Sequence, residues 1–281
     1  MELRELYIRG KKLLSYADVE SADLEASSLL ARSIGVDKLS IFTEPHKEVN
    51  NGLIEKYNNF INRRINGEPN SYITGSREFY SLEFNVNKEV LIPRPETELL
   101  VETALEKIPE NAPFTVFDAG TGSGCIGVTL GTQRETLTMI GTDISYAAVN
   151  IAMSNSRLNG TEKKCTFINC NFLSVFKSQS ADMIVSNPPY IRDNDFNELQ
   201  SEVKNHEPKI ALIGGEDGLD HIRKLTQGAR KLLKSKGWLI LEFGIGQAEE
   251  IKKILTLNGF SSIKIKKDLN GTDRVISGQW K

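Results

Sequence analysis

The sequence predicts an α/β protein, with a largely parallel sheet covered on both faces by helices and a small helical domain ahead of it. Three observations carry that expectation. Leu53, Tyr57, Phe60, Ile61 and Ile65 recur at helical spacing in a first segment that shows no strand pattern. From residue 114 onward, short apolar runs of strand type alternate with helical stretches, the pattern of a parallel sheet with crossover helices. The first of those runs leads straight into a glycine-rich turn followed by a helix-forming apolar segment.

Taken in order, Leu24, Leu29 and Leu30 lie on a segment opened by Asp and Ser capping candidates and closed by Gly35, and the Leu53–Ile65 helix stops before Gly67 and Pro69. Residues 1–75 are therefore expected to form a small helical bundle. The pattern then changes to short alternating runs at Glu78–Tyr80 and Leu82–Val86, so residues 76–92 read as a hairpin linker. Residues 93–281 form the sheet domain. A helix is expected from Pro95 to Ile108, with proline at an early position and Glu96 and Glu98 in the first turn, where the helix dipole favours acids. Strands are expected at Phe114–Asp118, Leu137–Asp143, Thr166–Asn169, Asp182–Asn187, Trp238–Phe243 and Ile263–Lys267. A last strand, Arg274–Gln279, returns after a turn at Asn270–Gly271. Ligands of such sheets bind at the carboxyl ends of the strands.

Composition narrows the function. At 281 residues the chain accommodates one large α/β domain and a smaller one. A net charge of −2 gives no basic excess, so bulk attraction to nucleic acid is not indicated and no direct nucleic-acid substrate is expected. Cys125, Cys165 and Cys170 lack C-x-x-C spacing, and His46, His206 and His221 stand far apart, so neither a disulfide framework nor a metal site is expected. Met1 leads directly into Glu2, Arg4 and Glu5, and no run approaches the length of a membrane span. A reducing cytoplasm and no membrane association are the expectation.

The chemistry starts at the turn after Phe114–Asp118. Gly120, Thr121, Gly122, Ser123 and Gly124 let the backbone approach a ligand closely and present free N–H groups at a helix start. Asp143 ends the next strand, where an acceptor-only carboxylate suits two ribose hydroxyls. Two cofactors satisfy this loop. The run from Gly122 through Gly124 to Gly127 matches the dinucleotide pattern G-x-G-x-x-G, and Asp143 follows at about the twenty residues expected of a ribose-binding acid. The frame Asp118, Gly120, Gly122, Gly124 equally resembles the first motif of the Rossmann-like methyltransferases, which wraps the methionine end of S-adenosyl-L-methionine.

The strand ending at Asn187 decides between them. It is followed by Pro188, Pro189 and Tyr190, and two prolines without N–H groups lead the chain rigidly off the sheet. Asn187 is thereby held out at the strand tip. An amide nitrogen is a poor nucleophile because its lone pair is delocalised into the carbonyl, so an enzyme must orient it. The Asn187 side-chain oxygen and the Pro188 carbonyl are placed to accept one N–H each from a target NH2 group, which is catalysis by positioning and charge stabilisation. Tyr190 would stack on the flat target group. A rigid loop opener is the plain alternative for the same residues.

With these residues assembled, the chain resembles the peptide chain release factor glutamine methyltransferases over nearly its full length. Besides the glycine loop, Asp143 and the Asn187–Tyr190 corner, the likeness includes Glu78–Phe84, Leu91–Glu98, Glu207–Pro208, Gly214–Leu219, Leu241–Gly244 and Asp268–Arg274. The resemblance implies a Rossmann-like methyltransferase sheet that uses S-adenosyl-L-methionine. It implies methylation at N5 of the glutamine in the Gly-Gly-Gln loop of release factors, with the helical domain gripping the factor. By the same resemblance Pro93–Glu98 lies by the cofactor pocket and Phe172 packs near adenine. The family usually has an acid before that aromatic, where this chain has Asn171. Three rival functions remain open on sequence. One is a ribosomal-protein glutamine methyltransferase. Another is an adenine-N6 methyltransferase acting on a nucleic acid, because the same corner suits any planar NH2 group flipped into a pocket. The third is an NAD-dependent dehydrogenase or a non-catalytic nucleotide-binding module.

Overall fold

The computed structural model describes residues 1–174 and 176–281 and divides into two compact units. The first comprises Met1–Ser76 together with Gln200–His206. Its helices are α1 (Leu3–Tyr16), α2 (Ala22–Ile34), α3 (Ser40–Thr43), α4 (Asn51–Ile65) and α5 (Asn70–Thr74). Leu3, Leu6, Leu29, Leu30, Tyr57 and Ile61 form its core. Gly10 lets α1 approach α4, since a Cβ there would lie 1.8 Å from the Tyr57 hydroxyl. Leu24, read from sequence with Leu29 and Leu30, is 70% exposed. The buried face of α2 is Ala22, Ala26, Leu29, Leu30 and Ser33, and Leu24 falls on the opposite side of that 3.6-residue period.

The second unit, Arg77–Leu199 with Glu207–Lys281, carries the sheet. The chain runs through the two-stranded hairpin β1 (Ser76–Phe79) and β2 (Leu82–Asn85). After it come α6 (Glu98–Leu105), β3 (Phe114–Ala119), α7 (Cys125–Gln133), β4 (Leu137–Asp143), α8 (Tyr146–Leu158), β5 (Cys165–Asn169) and β6 (Ala181–Ser186). The last elements are α9 (Ser201–His206, in the first unit), α10 (Asp220–Leu232), β7 (Leu233–Glu242), α11 (Ala248–Leu257), β8 (Phe260–Lys267) and β9 (Asp273–Trp280). The helix expected from Pro95 to Ile108 is shorter than its sequence pattern. Pro95–Thr97 forms a 3-10 turn and α6 ends at Leu105, since helix starts often tighten in this way. β7 begins five residues before its expected start, because Leu233 already pairs with Ala181 across a bulge.

The seven-stranded sheet has the order β5-β4-β3-β6-β7-β9-β8, parallel up to β7 and antiparallel for β7-β9-β8, which bears out the α/β fold class. Alternate residues of the strands feed two cores. Phe117, Ile184, Leu239 and Leu241 meet α10 and α11, while Val116, Met183, Val185 and Ile240 meet the α6 and α7 side. From β3 the chain winds outward to β4 and β5 and then returns to β6 on the other flank of β3. The switch point of the sheet therefore lies between the carboxyl ends of β3 and β6, where ligands of such sheets bind. No described helix is long and apolar enough to cross a membrane.

Candidate active site

At that switch point the β3–α7 turn is built on left-handed backbone. Gly120, Gly122 and Gly124 have φ of 76°, 54° and 81°, values that L side chains adopt only with strain. The amides of Gly120 and Thr121 both donate to the Thr142 carbonyl at 2.8 Å, which ties the turn to β4. Beneath it, the Thr121 hydroxyl donates to Asp118 Oδ2 at 2.6 Å. A Cβ on Gly122 would meet nothing within 4 Å, so this backbone is itself a cavity wall.

Asp118 is fully buried, and desolvation raises its carboxyl to about 7 against the opposing hydrogen bonds from Thr121 and the Gly127 amide. The native protein thus holds this proton to higher pH than the unfolded chain does. The associated stability is complete below about pH 4 and is lost as pH rises through about 7. Melting temperature is expected to decline between roughly pH 4 and pH 7 and to level off above that. Asp118→Asn should flatten that decline in part, with Glu242, which is raised in the same direction, accounting for the rest. A melting profile with the same slope in the variant would contradict this reading.

Asp143 caps the next strand beside the turn. Its Oδ2 accepts from the Gly122 amide and its Oδ1 from the Ser145 amide, each at 2.9 Å. Burial raises its carboxyl, and these backbone donors oppose the rise. Each oxygen retains a lone pair, so the carboxylate is still equipped for ribose hydroxyls.

The turn, Asp143 and the β6 corner share one cavity of about 330 Å³, a size suited to a small-molecule ligand. Gly120, Thr121, Gly122, Ser123, Asp143, Phe172, Asn187 and Pro189 line it. Gly124, Pro188 and Tyr190 are not in its wall. Gly124 packs on Ala152, Pro188 is buried, and the Tyr190 ring lies against Gly244. Burial pushes the Tyr190 phenol up to about 12, so it stays protonated at neutral pH. Several wall residues had no role from their own sequence pattern. They include Val90, Ile144, Ile210, His221 and Lys224. His221 packs edge-on against Phe172 with centroids 5.5 Å apart, and burial lowers its pKa.

Asn187 sits at the tip of β6, half-buried, and its Nδ2 donates to Thr97 Oγ1 at 3.1 Å. The corner after it is braced from behind. Tyr190 O accepts from Gln247 Nε2 at 3.0 Å, Ile191 N donates to Leu212 O at 2.9 Å, and Gly214 N donates to Ile191 O at 2.8 Å. Gly214 and Gly218 lie so close that a Cβ would stand 2.7 Å from Pro189 O and 2.3 Å from Tyr190 O respectively. Arg94, from the Leu91–Glu98 run, is also in the cavity wall and pairs with the buried Glu207 carboxylate.

A parallel sheet with a glycine turn, a strand-tip acid and an Asn-Pro-Pro-Tyr corner around one cavity defines the class of the Rossmann-like methyltransferases. The hMettl16 catalytic domain, solved in complex with a MAT2A 3′UTR hairpin, shares this fold. It has a TM-score of 0.59 at 16% identity over 73% of this chain and 78% of that one. The family described as PrmC N-terminal domain matches residues 5–75, and the Methyltransferase small domain matches residues 95–206. A Koribacter versatilis protein named release factor glutamine methyltransferase is 38% identical over 281 residues, 99% of each chain. One of the same name from Clostridium acetobutylicum is 36% identical, covering 98% of each. This chain belongs to the release factor glutamine methyltransferase family.

Proposed function

We propose that this protein methylates the side-chain amide nitrogen of the glutamine in the Gly-Gly-Gln loop of peptide chain release factors. S-adenosyl-L-methionine, bound in the switch-point cavity, supplies a methyl group on a sulfonium centre, an electrophile that an amide can meet without prior deprotonation. Gly120–Gly124 receive its amino-acid end, the Asp143 carboxylate its ribose hydroxyls, and Phe172 packs near its adenine. The observation that carries the reading is Asn187, with Pro189, in the wall of the same cavity as the glycine turn and Asp143.

The target amide is held by acceptors. Asn187 Oδ1 and the Pro188 carbonyl each take one N–H, which turns the nitrogen lone pair toward the methyl and stabilises the positive charge that grows on nitrogen. Pro188 and Pro189 keep the corner from folding back onto the sheet. Tyr190, braced against Gly244 and Gln247, fixes the end of the corner and, uncharged, adds no competing charge. The amide gains a methyl, loses one N–H proton to solvent, and S-adenosylhomocysteine leaves. The helical unit grips the release factor, and the cytoplasm, where such factors act, is the site of action.

The test is incubation with isotopically labelled S-adenosyl-L-methionine and a purified release factor, followed by mass mapping. One added methyl on the Gly-Gly-Gln glutamine is the expected result. Label on a ribosomal protein or an oligonucleotide, with none on the factor, would overturn the assignment.

A further inference from the structure

A carboxamide is nearly symmetric in shape, so Asn187 serves as an acceptor only if something makes its nitrogen end face inward. Thr97 cannot decide this alone. Its hydroxyl can accept from Asn187 Nδ2, as it does at 3.1 Å, or donate to the oxygen of a flipped amide. The choice passes to whatever else Thr97 bonds. Thr97 is 2% exposed, and behind it lies Glu242, the last residue of β7, which is 1% exposed. Ser186 of β6 pairs with Leu241 of β7, which sets Glu242 beside Asn187, and the side chains of Thr97 and Asn187 both favour its carboxylate form. Its Oε2 is a buried oxygen without a satisfied hydrogen bond among the described residues.

The inward side of Asn187 is therefore rich in acceptors and short of donors. A carboxylate accepts only, so it claims the Thr97 hydroxyl proton and leaves Thr97 Oγ1 free to accept from Asn187. We propose that Glu242 is a positioning residue that fixes the Asn187 carboxamide with its nitrogen inward and its oxygen toward the target amide, directly and through Thr97. This rests on the reading of Asn187 as the acceptor that holds the target.

The protonation state of Glu242 sets the direction of the chain. Desolvation raises this carboxyl to about 7. The charged and titratable groups facing it are Glu96, Arg274, Tyr190 and Cys125. Arg274 favours the carboxylate, while Glu96 and the burial oppose it. Once protonated, Glu242 donates to Thr97, the Thr97 hydroxyl turns toward Asn187, and the amide is drawn to present its oxygen inward. Turnover should therefore fall as pH drops through the Glu242 pKa, although neither the target amide nor a sulfonium titrates there.

The experiment measures kcat on a full-length release factor at saturating S-adenosyl-L-methionine across roughly pH 5.5 to 8.5. Cofactor affinity is measured in parallel by calorimetry. Wild type is expected to lose about tenfold per pH unit on the acid side. Glu242→Gln, which cannot titrate, should flatten that limb and lower kcat at the alkaline end about tenfold or more, with cofactor affinity within about twofold. Thr97→Val should lower kcat similarly, and Thr97→Ser, which restores the hydroxyl, should rescue it. An unchanged acid limb and wild-type kcat in Glu242→Gln would overturn the inference. If that variant does not fold, wild-type turnover in Thr97→Val overturns it instead. Normal turnover in Asn187→Ala sinks the reading of the corner itself. An inactive Asn187→Ala beside fully active Glu242→Gln and Thr97→Val sinks this inference alone.

Discussion

Asn187→Ala is expected to lower kcat for methyl transfer by about a hundred- to a thousandfold, the usual cost of deleting one preorganised polar contact to a reacting group. The side chain lines the cavity at the tip of β6 and presents the acceptor that no neighbouring group replaces in the proposed geometry. Its loss leaves a target amide held by one carbonyl and free to rotate its lone pair away from the electrophile. Affinity for S-adenosyl-L-methionine should change far less, because the glycine turn and Asp143 are untouched. Single-turnover rates with a release factor, set beside calorimetry with the cofactor, separate the two effects. A variant that binds cofactor normally and still transfers methyl at the wild-type rate would remove Asn187 from the chemistry.

Gly218→Ala is expected to damage the same corner from the other side. Gly218 has φ of +78°, a conformation that costs an L residue about 1 kcal/mol or more. Its Cβ would also stand 2.3 Å from Tyr190 O and 2.6 Å from Gln247 Nε2. The first of these is backbone and cannot swing aside, so the Pro189–Tyr190 segment must shift. Overpacking of this kind adds about 1–3 kcal/mol. Together these lower the melting temperature by roughly 5–15 °C. What remains folded should turn over at least about tenfold more slowly, since a displacement near 1 Å in a positioning element can cost more than that. Scanning calorimetry and initial rates check the two parts. Wild-type melting and wild-type kcat together would show that the loop does not brace the corner.

The fold class and the chemistry-bearing turns were legible because each leaves a local mark. The glycines at 120, 122 and 124 are where the backbone takes positive φ, and paired prolines at 188 and 189 announce a rigid exit from a strand. Strand positions followed from short apolar runs, with errors confined to their ends, as at β7. Thr97 and Glu242 lie inside two runs that carry the family likeness, Leu91–Glu98 and Leu241–Gly244, yet nothing local marks a role for either. Each reads locally as an ordinary residue of a helix start or a strand end, and only the pairing of β6 with β7 and the approach of the Pro95–Thr97 turn bring them together at Asn187. The return of Gln200–His206 to the helical unit was equally invisible. Arg64, buried between Glu25 of α2 and Glu202 of α9, ties the segment there, a pairing across distant segments that no periodicity encodes. Leu24 lies in a helix as its segment predicts, and its helical phase, rather than its type, decides its exposure.

The most direct measurement is a crystal structure of the enzyme with S-adenosylhomocysteine and a release factor. It is expected to place the glutamine side-chain nitrogen within hydrogen-bonding distance of both Asn187 Oδ1 and the Pro188 carbonyl, facing the sulfur. A glutamine nitrogen bound elsewhere, or Asn187 turned with its oxygen on Thr97, would contradict the account.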